Sequence, residues 1–151
     1  MNRRNFLSFA GSAIALSVIP MNVNAEDYRK LKPSVWTAHN IDDARKALYG
    51  IKTPIESDQI KIDVPKINSS GAAVPVKFST TIDAKTIALF QDANPESAVA
   101  VFDVNIYDMK KYDVKIKMEK DGEVMVLVEG TDGKIYMAKV ATQVAAGGCE
   151  G

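Results

Sequence analysis

Cys149 is the only cysteine in a chain of 151 residues, and it stands third from the end in Val144-Ala145-Ala146-Gly147-Gly148-Cys149-Glu150-Gly151. A thiolate can form and exchange S–S bonds. One cysteine cannot close a disulfide within its own chain. Gly147 and Gly148 have no side chains and hold no fixed conformation without contacts. From Val144 an extended chain reaches roughly 17 Å to Cys149, at about 3.3–3.6 Å per residue. Residues 145–151 therefore read as a flexible arm. Gly147, Gly148, Glu150 and Gly151 supply the arm, and Cys149 supplies the point of covalent attachment. A free thiol titrates near about 8.5. Glu150 and the terminal carboxylate disfavour a second anion and push the Cys149 thiol upward. No histidine or helix start stands beside it to oppose them. Activation must come from an enzyme that the arm visits, which predicts a carrier and no catalytic residue of the chain's own.

Other chemistry is thin. His39 is the only histidine, so a Ser–His–Asp or Cys–His–Asn triad would have to rest on it. Its place beside the N-cap of a short helix predicts a solvated or capping role. There is no C-x-x-C, no H-E-x-x-H and no Gly-rich phosphate loop. Six methionines raise the question of Cu(I), which thioethers suit. Met1 and Met21 leave with a leader, however, and Met118, Met125 and Met137 fall at core-like positions in strands. No metal is expected. Asp42 and Asp43 read as helix-start charges. Lysine plus arginine and aspartate plus glutamate each number 19, which gives no basic stripe and no reason to expect nucleic acid.

The first 25 residues read as an export leader. Arg3 and Arg4 are followed by a weakly apolar run from Phe6 to Met21, and Val23-Asn24-Ala25 is an A-x-A-like cleavage site before Glu26. The run is short for a membrane span. "NRRNFL" resembles a twin-arginine signal, which exports a folded protein with a partner able to ride along. In an oxidising compartment a lone exposed thiol is a liability, which favours a use for it.

The body that must position the arm is β. "YDVKIKME" alternates strictly, with Tyr112, Val114, Ile116 and Met118 on one face. "AVAVFDVNIY" puts Ala100, Phe102, Val104 and Ile106 together. "EVMVLVE" is apolar on both faces, as in a central strand. "KIYMAKVATQV" alternates up to Val144, and "QIKIDV", "VPVKFST" and "KTIALF" come earlier. Lys120-Asp121-Gly122, Thr131-Asp132-Gly133 and Ser69-Ser70-Gly71 are turn chemistry, and Asn94-Pro95 is a break. Seven short strands predict an all-β, immunoglobulin-like antiparallel β-sandwich over 61–144. Residues 26–60 form an N-terminal segment with one short helix. Asn40 caps it, Ile41, Ala44 and Leu48 share a face, and Gly50 ends it.

These residues together resemble the SoxY family of thiosulfate-oxidation sulfur carriers. That family ends in GGCGG, where this chain has Gly147-Gly148-Cys149-Glu150-Gly151. "IDVPKINSSGAAVPV" is similar to the family's D-x-P…G-x-x-V-P-V segment through Asp63, Pro65, Gly71, Val74, Pro75 and Val76. "DANP" at Asp92–Pro95 and the last hairpin are similar too. The resemblance covers roughly 40–151.

It implies a periplasmic protein that is no enzyme and carries no cofactor beyond sulfur adducts on Cys149. The implied partners are a SoxZ-like β-sandwich subunit in a heterodimer, a SoxXA-like haem enzyme, a SoxB-like hydrolase and a SoxCD-like dehydrogenase, with no nucleic acid or membrane. Glu150 departs from the family's glycine and adds bulk and charge beside the sulfur. Two other classes compete: a structural or adhesive sandwich crosslinked through Cys149, and a copper-binding module.

Overall fold

The computed structural model describes residues 26–145. The leader, 1–25, and residues 146–151 lie outside the described residues, and with them Gly147, Gly148, Cys149, Glu150 and Gly151. None of the described helices is long and apolar enough to cross a membrane.

The seven segments read as strands form the seven longer strands of two sheets, paired antiparallel with one another. In chain order these are β2 (Ile60–Asp63), β4 (Val74–Thr80), β5 (Ala84–Gln91), β6 (Ala98–Asp103), β7 (Lys111–Ile116), β8 (Gly122–Gly130) and β9 (Ile135–Val144). Two further strands have two residues each: β1 (Ile55–Glu56) and β3 (Ile67–Asn68). The larger sheet runs β1-β9-β8-β5-β6, with β3 also on β9, and the smaller runs β2-β4-β7. Both short strands pair with β9 in parallel, a pairing that the antiparallel expectation did not contain. A two-residue strand shows no alternation to read.

The doubly apolar run of β8 has a direct cause. Val124, Val126 and Val128 enter the core between the sheets, while Leu127 enters a second core beneath helices. β5 does the same, with Ile87 and Leu89 on one side and Ala88 and Phe90 on the other. The larger sheet is thus the middle of three layers. Each of these valine, leucine, isoleucine and phenylalanine side chains, fully buried, contributes about 1.5–3 kcal/mol.

The covering layer has three short helices: α1 (Tyr28–Leu31), α2 (Pro33–Trp36) and α3 (Ile41–Tyr49). Only α3 was legible. The Asn40 side chain accepts from the Asp43 N–H at 2.8 Å, Ala44 and Leu48 are buried, and Gly50 ends the helix at φ 77°. Side-chain hydrogen bonds from Lys46, then Arg45, hold the Asp42 carboxyl below its usual range. The first two helices are single turns, opened by Asp27 and by Pro33 at its first position.

Two expectations need correction. Ile106 does not join Phe102 and Val104 in the core. β6 stops at Asp103, and Ile106 is 89% exposed in the loop that follows. There the Asn105 side chain accepts from the Tyr107 N–H at 2.8 Å and turns the backbone out of the strand. Met118 is buried at the sandwich core as expected, but just past the end of β7 rather than within it.

Candidate functional site

The described structure holds the base from which the cysteine-bearing tail departs. β9 is the last strand, and its end is tied on two sides. On one side lies β3, the product of "PKIN". Gln143 N–H donates to Lys66 O at 2.9 Å, and Ala145 N–H donates to Asn68 O at 2.8 Å. On the other side Val144 N–H donates to the Asp121 carboxylate at 2.8 Å.

Side chains lock this arrangement. Thr142 Oγ1 donates to Pro65 O at 2.6 Å, and Asn68 Nδ2 donates to Thr142 Oγ1 at 2.8 Å. Asn68 and Thr142 are both buried, so their polar atoms need partners, which they find in each other and in the carbonyls of Pro65 and Gln143. Gly71 closes the ring. A Cβ there would lie 2.1 Å from Met118 O and 3.0 Å from Val144 Cγ1. Its own carbonyl accepts from Met118 N–H at 2.8 Å. Only glycine lets the turn before β4, the exit of β7 and the end of β9 meet so closely.

The same end gathers the "DANP" loop. The Asp92 carboxylate accepts from Glu123 N–H at 2.6 Å, and the Asn94 side chain bonds Lys117 O at 2.8 Å and Glu119 N–H at 3.0 Å. His39 Nδ1 lies 3.0 Å from Pro95 O. It bridges the helical layer to this loop, and the capping role belongs to Asn40. The sequence segments that looked distinctive therefore converge on one collar around the root of the tail. Pro65, Gly71 and the Asp92–Pro95 loop were legible beforehand, and Asp121 only as a turn residue, whereas Asn68 and Thr142 were not. The only sequence signal of those two was a polar residue at a position whose burial had to be matched by a partner.

The predicted attachment point, Cys149, and Gly147, Gly148, Glu150 and Gly151 lie outside the described residues. Cys149 is four residues beyond Ala145, the last of the described residues, an extended reach of about 14 Å at most. Among the described residues no group of three or more His, Cys, Asp and Glu could hold a metal ion. The strongly perturbed side chains lie away from the collar. Burial raises the Tyr49 and Tyr112 hydroxyls, and a hydrogen bond to Asp108 adds to the rise at Tyr112.

A sandwich whose strand β9 is collared at its end, a few residues before the chain's only cysteine, defines a class: a β-sandwich scaffold that holds the base of a cysteine-bearing tail. Comparison with known proteins makes this specific. The family model described as sulfur oxidation protein SoxY matches residues 45–149. Among solved structures, the sulfur carrier protein SoxY from Chlorobium limicola f thiosulfatophilum is similar at 34% identity and a TM-score of 0.65. The match covers 72% of this chain and 95% of that one. A superoxide reductase (neelaredoxin) from Ignicoccus hospitalis shares the fold at 15% identity and a TM-score of 0.52, over 58% of this chain and 80% of that one. No curated protein matches the chain. The chain belongs to the SoxY family of sulfur oxidation proteins.

Proposed function

We propose that this protein is a periplasmic sulfur carrier of thiosulfate oxidation, exported by the twin-arginine route, which holds its cargo on Cys149 and performs no catalysis itself. The observation that supports it most is that the family match runs as far as residue 149, the chain's only cysteine. The collar adds a physical reason. It holds the chain up to Ala145, so residues 146–151 can serve as an arm whose base does not move.

The chemistry balances on one sulfur. Coupling the Cys149 thiolate to the outer sulfur of thiosulfate forms Cys–S–S–SO3⁻ and releases two electrons, which a SoxXA-like haem enzyme accepts. Water then cleaves the S–SO3 bond in a SoxB-like hydrolase, releasing sulfate and two protons and leaving the persulfide Cys–S–S⁻. A SoxCD-like dehydrogenase is a further client. No cofactor is bound by the carrier. A SoxZ-like sandwich subunit completes a heterodimer, carried across with it.

Mass spectrometry of the mature protein from its own periplasm tests the reading. Intact masses should show reductant-sensitive small sulfur adducts on Cys149, and native masses should show a second, different chain. A persistent disulfide to another chain, with no small adducts, would favour the crosslinking sandwich and defeat the carrier.

Glu150 offers a second check. Glu150→Gly should raise the thiolate fraction slightly near neutral pH, since it removes a neighbouring negative charge whose effect salt screens. It should speed loading more clearly with an enzyme from a GGCGG system, where bulk beside the sulfur must enter a channel. Equal loading rates for both variants, with the cognate enzyme and the GGCGG-system enzyme alike, would remove any functional meaning from the departure.

A further inference from the structure

Among the described residues no other element covers the outer face of the small sheet β2-β4-β7. Alternation sends Val76 and Phe78 inward to the core and turns Lys61, Lys77, Lys111 and Lys115 outward, all exposed. The register arranges them in rows. Lys61 and Lys111 flank Ser79 from the two neighbouring strands, about 10 Å apart at two strand spacings. In the next row Lys77 stands between Asp63 and Asp113 and pairs with Asp113 at 3.9 Å. Lys115 lies beyond, opposite Pro75, and Lys117 follows just past the strand. Lys61, Lys111, Lys115 and Lys117 make no ion pair among the described residues.

This excess runs against the rest of the molecule. The balance of 19 basic and 19 acidic residues includes Arg3 and Arg4, with no acidic residue before Glu26, so a chain without its leader is acidic by two charges. A cationic face on an acidic protein is a concentrated feature. Its position is specific too. Lys115 and Lys117 stand at the end of the sheet where Met118 meets Gly71 and Val144, the root of the tail. The length of the face from Lys111 to Lys115 is about 13 Å, comparable to the reach of about 14 Å from Ala145 to Cys149. A body seated on the lysines is therefore within range of the thiol.

We propose that this lysine face is where client enzymes dock, through a carboxylate-rich rim around the entrance that receives the tail. The proposal rests on the carrier reading above. Such a face suits a brief visitor, because charged, hydrated surfaces steer encounter and raise association rates without a large apolar contact that would slow release. A carrier that serves several enzymes in turn needs fast exchange of that kind.

The test is the rate of thiosulfate loading of Cys149 by the purified haem enzyme, read by intact mass against carrier concentration. The test variant is Lys111→Glu/Lys115→Glu. The control is Lys30→Glu/Lys85→Glu, which makes the same charge change at exposed positions off this face. At about 50 mM salt the face variant should raise KM about tenfold with kcat unchanged, and the gap should close as salt approaches about 0.5 M. The control should stay within about twofold of the unaltered protein. Loading with equal KM in both variants would overturn the docking face and leave the carrier intact. No adduct on the unaltered protein under any condition would overturn the carrier reading, and the docking face with it.

Discussion

Cys149→Ser should abolish thiosulfate-dependent loading completely and leave the fold unchanged. A hydroxyl cannot form the S–S bond that holds the cargo, and the chain has no second thiol to substitute. The fold should not respond, because the ties that hold β9 among the described residues are complete at Ala145 N–H to Asn68 O, four residues before the cysteine. A substitution outside the packed cores shifts stability by about 0.5 kcal/mol or less, and neither core of the described residues includes the tail. Circular dichroism melting and intact-mass analysis after incubation with thiosulfate and the haem enzyme check both halves. A variant that still gains sulfur defeats the assignment of the site. A variant that melts much earlier defeats the separation of tail from scaffold.

The second large effect is expected at Gly71. In Gly71→Ala the added methyl would sit 2.1 Å from Met118 O, a backbone atom that cannot rotate away, and 3.0 Å from Val144 Cγ1. The clash is relieved only by parting the turn before β4 from the chain after β7, at the expense of the 2.8 Å bond between Met118 N–H and Gly71 O. Overpacking of this kind costs about 1–3 kcal/mol, and the strained hydrogen bond adds about 1 kcal/mol. The melting temperature should fall on the order of 5–15 °C. Amide exchange should rise most at Val144 and Ala145, since the collar holds those two N–H groups. An unchanged melt with unchanged exchange at Ala145 would show that the close approach does not hold the root. Gly133 makes a useful contrast. It has nothing within 4 Å, so there the constraint is its φ of 79° and not space.

The collar also separates the roles of the family-like motifs. Asp63, Pro65 and Gly71 looked like one conserved-looking string, yet they act differently. Asp63 ends β2 on the exposed face and stands opposite Lys77. Pro65 lends its carbonyl to Thr142. Gly71 supplies the absence of a side chain and a carbonyl for Met118 N–H.

What the sequence determined by itself was local in origin. Alternation of apolar residues is set within a strand by the two-residue pleat, so strands such as β7 and β9 could be read from it, while the doubly buried β8 showed as a continuous apolar run between turns. The helix at Ile41–Tyr49 announced itself through Asn40 and Gly50, because a cap bonds within one turn. The solitary thiol between glycines needed no partner to be noticed. The tertiary structure alone decided which strands neighbour which, that β1 and β3 lie parallel along β9, and that helices cover the second face of the large sheet. It alone brought Asn68 to Thr142, 74 residues away, and Asp121 to Val144. No spacing encodes such pairs. A buried amide or hydroxyl must find a partner, but which partner depends on where the packed sheets bring distant segments together, and that is settled by the burial of both cores at once.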